Sequence, residues 1–264
     1  MKLSADFCGL SAASAARICY KYAMQILQVT LWIYATALMR AFDCVRKNLV
    51  VSLAPLAYSL VLSAAAMIAL PLGILGGFLL GLVSQACISS GLYLVKNMID
   101  SGKTDFNDFA RGFTVYLWDL ITISFILWIP MRLAGMALAT IPNGLLIYFC
   151  IQIALYILLN PVPELIYQSR TSGLELLGAS YNFIVENWIE WLIPNILLAI
   201  GGYALLQLFE SLLFGLPAFI QLFLYSFGLG LFLTYMMTFR GFLFAELHGT
   251  TRRSRIYRYK ARGN

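Results

Sequence analysis

The sequence is poor in charge. Asp, Glu, Lys and Arg make up 11% of its 264 residues, where soluble domains carry roughly 25%, while apolar residues reach 61% and the mean hydropathy is +0.82. No soluble core hides that much apolar surface, so the composition points to a single polytopic membrane domain over 1–264. Chemistry-bearing residues are scarce too. The single histidine, His248, leaves no HExxH pair and no Ser-His arrangement within a span. The five cysteines (Cys8, Cys19, Cys44, Cys87 and Cys150) show no CxxC spacing, so neither a zinc site nor a redox pair is expected. There is no N-x-S/T sequon, no Walker loop and no GxGxxG. "GASYN" sets Ser180 in a nucleophile-elbow context but lacks the final glycine, and its surroundings read as an amphipathic helix, so Ser180 is expected to be structural. No enzymatic activity, cofactor or metal is expected. The first twenty residues lack the order of basic, apolar and small residues that marks a cleaved signal peptide, which leaves the first span to act as the membrane signal.

What the sequence has is long apolar runs. Their breaks predict an all-α bundle of six spanning helices at 49–70, 72–97, 113–141, 144–166, 191–214 and 218–246, each at or above the roughly 20 residues that cross a bilayer. Three turns, "ALPLG" at Pro71, "TIPNG" at Pro142 and "FGLPA" at Pro217, are short and uncharged. Proline ends a helix and glycine permits a turn, so these are expected to be tight hairpins on one membrane face. Lys and Arg gather on the other face: Arg17, Lys21, Arg40, Arg46 and Lys47 before the first span, Lys96, Lys103 and Arg111 in the second connection, Arg170 in the fourth, and the tail. By the positive-inside rule both termini are expected to be cytoplasmic, and the even number of spans agrees. The chain divides into an interfacial N-terminal segment (1–47), the bundle (48–246) and a basic tail (247–264).

"YAMQILQVTLWIYATALM" is mostly apolar, yet Lys21, Gln25, Gln28, Thr36, Arg40, Asp43 and Lys47 recur at helical spacing along and beside it. A polar stripe with basic flanks predicts a helix lying in the headgroup region rather than a seventh span. The second half then echoes the first. "AFDCVRKNLVVSLAP" (41–55) aligns with "SYNFIVENWIEWLIP" (180–194), matching Asn48 to Asn187, Leu53 to Leu192 and Pro55 to Pro194. Each copy reads as an amphipathic helix running into a span with a proline near its start. Four spans separate the copies, so the repeat is parallel rather than inverted.

"GLELLGASYNFIVENWIEWLIPNILL", followed by two long apolar helices and a basic end, resembles a segment of bacterial six-helix integral inner-membrane proteins of unknown function. That group is similar to the membrane domain attached to some glycerophosphodiester phosphodiesterases. The resemblance implies a prokaryotic plasma membrane and a six-helix bundle with interfacial helices. It transfers no catalytic residues, because the shared motif is itself structural.

Polar residues inside the spans stand out against this background. Arg132 interrupts a long apolar run, and a charge near the bilayer centre costs roughly 2.5 to 3.5 kcal/mol even on lenient insertion scales. Glu210 is the only carboxylate in the outer halves of the spans, which makes it the expected counter-ion, with Gln152 and Gln207 as lesser partners. Two readings stand open: a paired arginine that fixes helix register, or a site for an anionic solute or lipid headgroup. In the inner half, Asp119 has Arg111 and Arg240 as candidate partners. "LNPVPEL" carries Pro161 and Pro163, which predict a helix break beside Asn160 and Glu164. Gly73, Gly77 and Gly81 repeat every four residues and are expected to form a helix-packing face.

The tail, "RRSRIYRYKARGN", holds Arg252, Arg253, Arg255, Arg258, Lys260 and Arg262 directly after the last span. Such a tract is expected to bind the anionic cytoplasmic leaflet at about 1 kcal/mol per basic residue. Nucleic-acid binding is not expected from so short a segment. Two functions remain. One is a non-enzymatic scaffold or accessory subunit that meets lipid and a protein partner or a second copy. The other is a small transporter or lipid-handling protein that uses the intramembrane charges, and a cavity joining the outer and inner charges would favour it.

Overall fold

The computed structural model describes residues 12–169 and 171–263, without the side chains of 12–19, 21–23, 262 and 263. Arg17, Lys21, Arg170 and Arg262 therefore lie, as side chains, outside the described residues. Within them the secondary structure is helical, and six stretches are long and apolar enough to cross a membrane: Leu49–Leu72, Ile74–Ser101, Leu117–Leu138, Gly144–Gln168, Gly173–Leu213 and Ala218–Leu247. The protein is an all-α polytopic bundle.

The chain repeats one unit three times, where the sequence suggested two. In the first, α1 (Ala12–Lys47) breaks at Asn48, passes a short 3-10 turn (Leu49–Leu53) and continues as α2 (Ala54–Ala69), a hairpin at Pro71 and α3 (Ile74–Ser101). In the second, α4 (Phe106–Val115) breaks at Tyr116 and continues as α5 (Leu117–Leu138), a hairpin at Pro142, α6 (Gly144–Leu158) and a short α7 (Val162–Gln168). In the third, α8 (Gly173–Leu213) is kinked at Asn187 and is followed by a hairpin at Pro217 and α9 (Ala218–Leu247). A final helix, α10 (Arg252–Gly263), closes the chain. The three breaks share one backbone conformation: φ/ψ is −127/40 at Asn48, −112/8 at Tyr116 and −129/18 at Asn187. Every positive-φ residue among those described falls in the same pattern. One sits in each hairpin (Gly73, Asn143, Gly215), and one leads into each following interfacial helix (Gly102, Gly173, Gly249).

A helix break frees backbone groups, and in lipid or protein these must be paired. The carbonyl four residues before each break is paired in every unit. Asn48 Nδ2 donates to Cys44 O (2.9 Å), and Asn187 Nδ2 donates to Phe183 O (3.2 Å). Tyr116 has no amide to offer, so Ser89 of α3 takes its place. Its hydroxyl donates to Gly112 O (2.6 Å) and accepts the Tyr116 N–H (2.9 Å). Glycine at 112 is required here because a Cβ would lie 2.8 Å from Ser90 Cα. The expected third span, 113–141, is thus corrected: its first residues belong to α4, whose start carries a reciprocal Asp105–Asp108 capping box.

The packed core lies at the basic end of the bundle. Trp191, Phe183, Phe244, Leu165, Leu176 and Leu243 are buried there, together with Val29, Ile33, Ala37 and Ala41 of α1. These four recur every fourth residue, so one stripe of α1 faces the bundle, while Leu27, Leu31, Met39 and Phe42 remain exposed on another. Helix α1 is not among the candidate spans. It touches the ends of its neighbours: Tyr34 Oη donates to Glu190 O, Cys44 Sγ to Met98 O, and Arg40 pairs with Glu246. The hairpin end is looser: Leu70, Leu72, Ile74, Ile141, Leu145, Phe214 and Phe219 are exposed there. Lipid tails are as apolar as leucine, so helices there gain little by burying side chains against one another.

Candidate functional site

The break expected at Pro161 and Pro163 separates α6 from α7, and it organises the most buried charges of the protein. Glu164 is fully buried, and both its oxygens accept from Arg240 of α9, at 2.7 Å from Nε and 2.9 Å from Nη2. Arg240 Nη2 also donates to Asn160 O at 2.7 Å, and its guanidinium lies 5.2 Å from the Trp191 ring centroid. Trp191 in turn donates its indole N–H to Asn160 Oδ1 (2.8 Å). Ser180 donates to Leu158 O (2.6 Å), so the groups freed by the break are paired and Ser180 is a structural hydroxyl. Desolvating an ion pair is repaid only when its groups are otherwise paired, and here both Glu164 oxygens, Asn160 O and the Nε and Nη2 of Arg240 are paired.

Arg240 is a lining residue of a cavity of about 460 Å³. Gln152, Leu155, Tyr156 and Leu159 of α6 contribute one face, since their spacing of three, one and three places them together on a helix. Leu127 and Met131 of α5 and Met237 of α9 complete the apolar wall. A second cavity, of about 590 Å³, lies toward the hairpin at Pro142 and is lined by Arg132, Gly135, Asn143 and Tyr148. A third, of about 700 Å³, is an apolar groove between α3 and α5, with Gly77, Gly81, Gln85, Ser124 and Trp128 on its walls. All three share one residue, Met131.

Several expected contacts are not formed. Arg132 and Glu210 make no ion pair among the described residues; Arg132 lines the hairpin cavity, while Glu210 and Gln207 are exposed at the hairpin end of α8. Long side chains this close to a span end reach the headgroups without a partner, which explains how both charges are tolerated. Gln152 forms no hydrogen bond with Arg132 among the described residues, but lines the same cavity as Arg240. Asp119 pairs with neither Arg111 nor Arg240, because Glu164 occupies Arg240. It sits in the first turn of α5, where a carboxylate suits the helix dipole. The glycine stripe is no packed face within the chain. Gly73 is the positive-φ residue of its hairpin, and a Cβ at Gly77 or Gly81 would meet no atom within 4 Å.

The tail also differs from expectation. Glu190 is buried at the kink of α8, and Arg252 reaches back to it with Nε 2.8 Å from Oε1. Arg255 is buried and donates to Asn187 Oδ1 and to Thr250 O (3.0 Å). Arg258 pairs with Glu246 at 3.6 Å, and Tyr259 packs edge-on against Trp32 of α1. Two of the expected leaflet ligands, Arg252 and Arg255, are thus committed to protein, because two buried acceptors need them; Arg253 and Lys260 remain exposed. Burial pulls the Arg255 guanidinium below its usual pKa against the opposing charge of Glu190, and burial, aided by Glu190, pushes the Tyr34 phenol up to about 12.

Sequence reasoning found Glu164 and named Arg240, but joined Arg240 to Asp119. The available signal was the twin prolines, since a carboxylate set in a helix break needs a donor that also reaches the freed carbonyls, and arginine does both. No family model matches the chain, and neither a curated protein nor a solved structure matches it.

Proposed function

We propose that the protein is a non-enzymatic, lipid-handling protein of a bacterial inner membrane, with both termini cytoplasmic and the hairpins at Pro71, Pro142 and Pro217 outside. One observation carries this reading: the cavities lined by Arg132 near the hairpin end and by Arg240 near the basic end meet on Met131, with apolar walls between them. A cationic group at each headgroup level joined by an apolar surface matches the two ends and the middle of a bilayer amphiphile. The resemblance to bacterial six-helix inner-membrane proteins and the excess of Lys and Arg at one end support the membrane and the orientation.

The test is photo-crosslinking with a diacyl phospholipid bearing a reactive group in its acyl chain, in native vesicles. Adducts are expected on α5, α6 and the facing side of α3, and Met131→Trp, which fills the junction, should cut them severalfold without unfolding the protein. Adducts spread evenly over all six spans would refute the reading.

The scaffold reading keeps one specific observation in its favour, the open groove along Gly77 and Gly81, where another helix can approach closely. It predicts that a stoichiometric protein partner, or a second copy, protects that groove from lipid labelling.

A further inference from the structure

We propose that the cavity between α5, α6 and α9 binds the acidic headgroup of an inner-leaflet phospholipid, and that the unused edge of Arg240 is the residue that selects it. This rests on the lipid-handling reading and adds the headgroup class and its anchor. Glu164 and Asn160 O consume Arg240 Nε and Nη2, which leaves Nη1 with no hydrogen bond among those formed by this side chain. The Arg240 side chain is only 10% exposed, and it lines this cavity. An arginine edge that lacks a protein acceptor and stays accessible is free to donate to a ligand, and a phosphate or carboxylate oxygen is the acceptor that suits it best.

The surroundings fit the same ligand. Arg240 is near the basic end of α9, seven residues before Leu247, so a headgroup there sits at the inner interface. Gln152 and Tyr156 on the α6 wall offer further polar contacts. Leu127 and Met131 then lead from this cavity into the apolar groove along Gly77 and Gly81, a course for an acyl chain. Among the described residues Glu164 is the only carboxylate touching the guanidinium, both its oxygens are occupied, and no second acid lines the cavity to repel an anion.

The test uses the full-length protein, delipidated in a mild neutral detergent. Native mass spectrometry compares phosphatidylglycerol with phosphatidylcholine of identical acyl chains, and hydrogen exchange locates the bound lipid on the wild-type protein. The expected result is one tightly held lipid with a preference of about tenfold for phosphatidylglycerol, because both headgroups offer Arg240 a phosphate oxygen but only phosphatidylcholine brings a second cation beside it, a difference of about 1.4 kcal/mol. Protection should appear at 152–163 and 236–243. Replacing both members of the ion pair, Glu164→Gln with Arg240→Gln, should abolish the preference while lipid still binds. Neutralising the exposed tail residues, Arg253→Gln with Lys260→Gln, should leave it intact. Equal binding of the two lipids with protection at these segments overturns the headgroup assignment and leaves lipid handling standing. Protection by phosphatidylglycerol confined to α10, or loss of preference in the tail variant alone, overturns it in favour of surface binding. No lipid-dependent protection of α5, α6 or α9 overturns both readings. The exchange data on the wild type decide the matter even if the double variant does not fold.

Discussion

The two ends of the bundle are built on different principles. At the basic end, two carboxylates (Glu164 and Glu190), two asparagines (Asn48 and Asn187) and two arginines (Arg240 and Arg255) are buried and paired, and large aromatic side chains pack around them. At the hairpin end, Arg132, Gln207 and Glu210 are exposed and the glycine stripe stands open. The difference follows from the solvent. Helices α1, α4 and α10 are not among the candidate spans, and where such helices meet water they gain from burying apolar area, so the hydrophobic effect can assemble a core there. Within the hydrocarbon there is no such drive, and helices are held by the hairpins and by whatever the basic end imposes. The loose end therefore keeps an open apolar groove along Gly77 and Gly81, while the headgroup cavity proposed at Arg240 borders the packed end.

The comparison breaks if charges at the two ends prove equally costly to remove. Glu164→Gln or Arg240→Met alone should give the largest loss, about 3–5 kcal/mol, because each strands a buried partner, and the double substitution should recover part of it. Thermal unfolding in detergent reads the three values. A smaller effect, about 1–3 kcal/mol each, is expected for Asn187→Ala and Ser89→Ala, which orphan Phe183 O and Gly112 O at the breaks. If these two cost nothing, water reaches the breaks and the basic end is not the dry core described.

Glycine substitutions sharpen the same contrast. A Cβ at Gly230 would lie 1.9 Å from Ser52 O, so Gly230→Ala should destabilise by about 1–3 kcal/mol through forced displacement of α9 from the 3-10 turn at Leu49–Leu53. Gly77→Ala and Gly81→Ala meet open space and should be neutral or stabilising by up to about 1 kcal/mol through helix propensity. The smallest effects belong to the hairpin end. Arg132→Met and Glu210→Gln should add within about 0.5 kcal/mol in the double variant, as separate sites do, whereas rescue would mean that the two residues meet.

Much of this was legible in the sequence. Six spans and three proline hairpins follow from apolar run length and helical breakers, because each is a local property of the chain. The matched Asn48 and Asn187 showed in the sequence as a repeat, while the break each one caps was not read there, since it shows only in the backbone and in the amide's bond to the freed carbonyl. The third copy was illegible because Tyr116 has no such amide and borrows the hydroxyl of Ser89 from another helix. Charge pairing was illegible for a similar reason. Depth along a span can be counted from sequence, but rotation about the helix axis and the choice of neighbour cannot, and these decided that Arg240 meets Glu164 rather than Asp119. The same freedom left Arg132 facing a cavity instead of Glu210, and folded a basic tail back onto buried acceptors at the kink of α8. Local periodicity determined which segments are helices and which end is basic; tertiary structure alone decided which buried charges had partners and where the cavities remained.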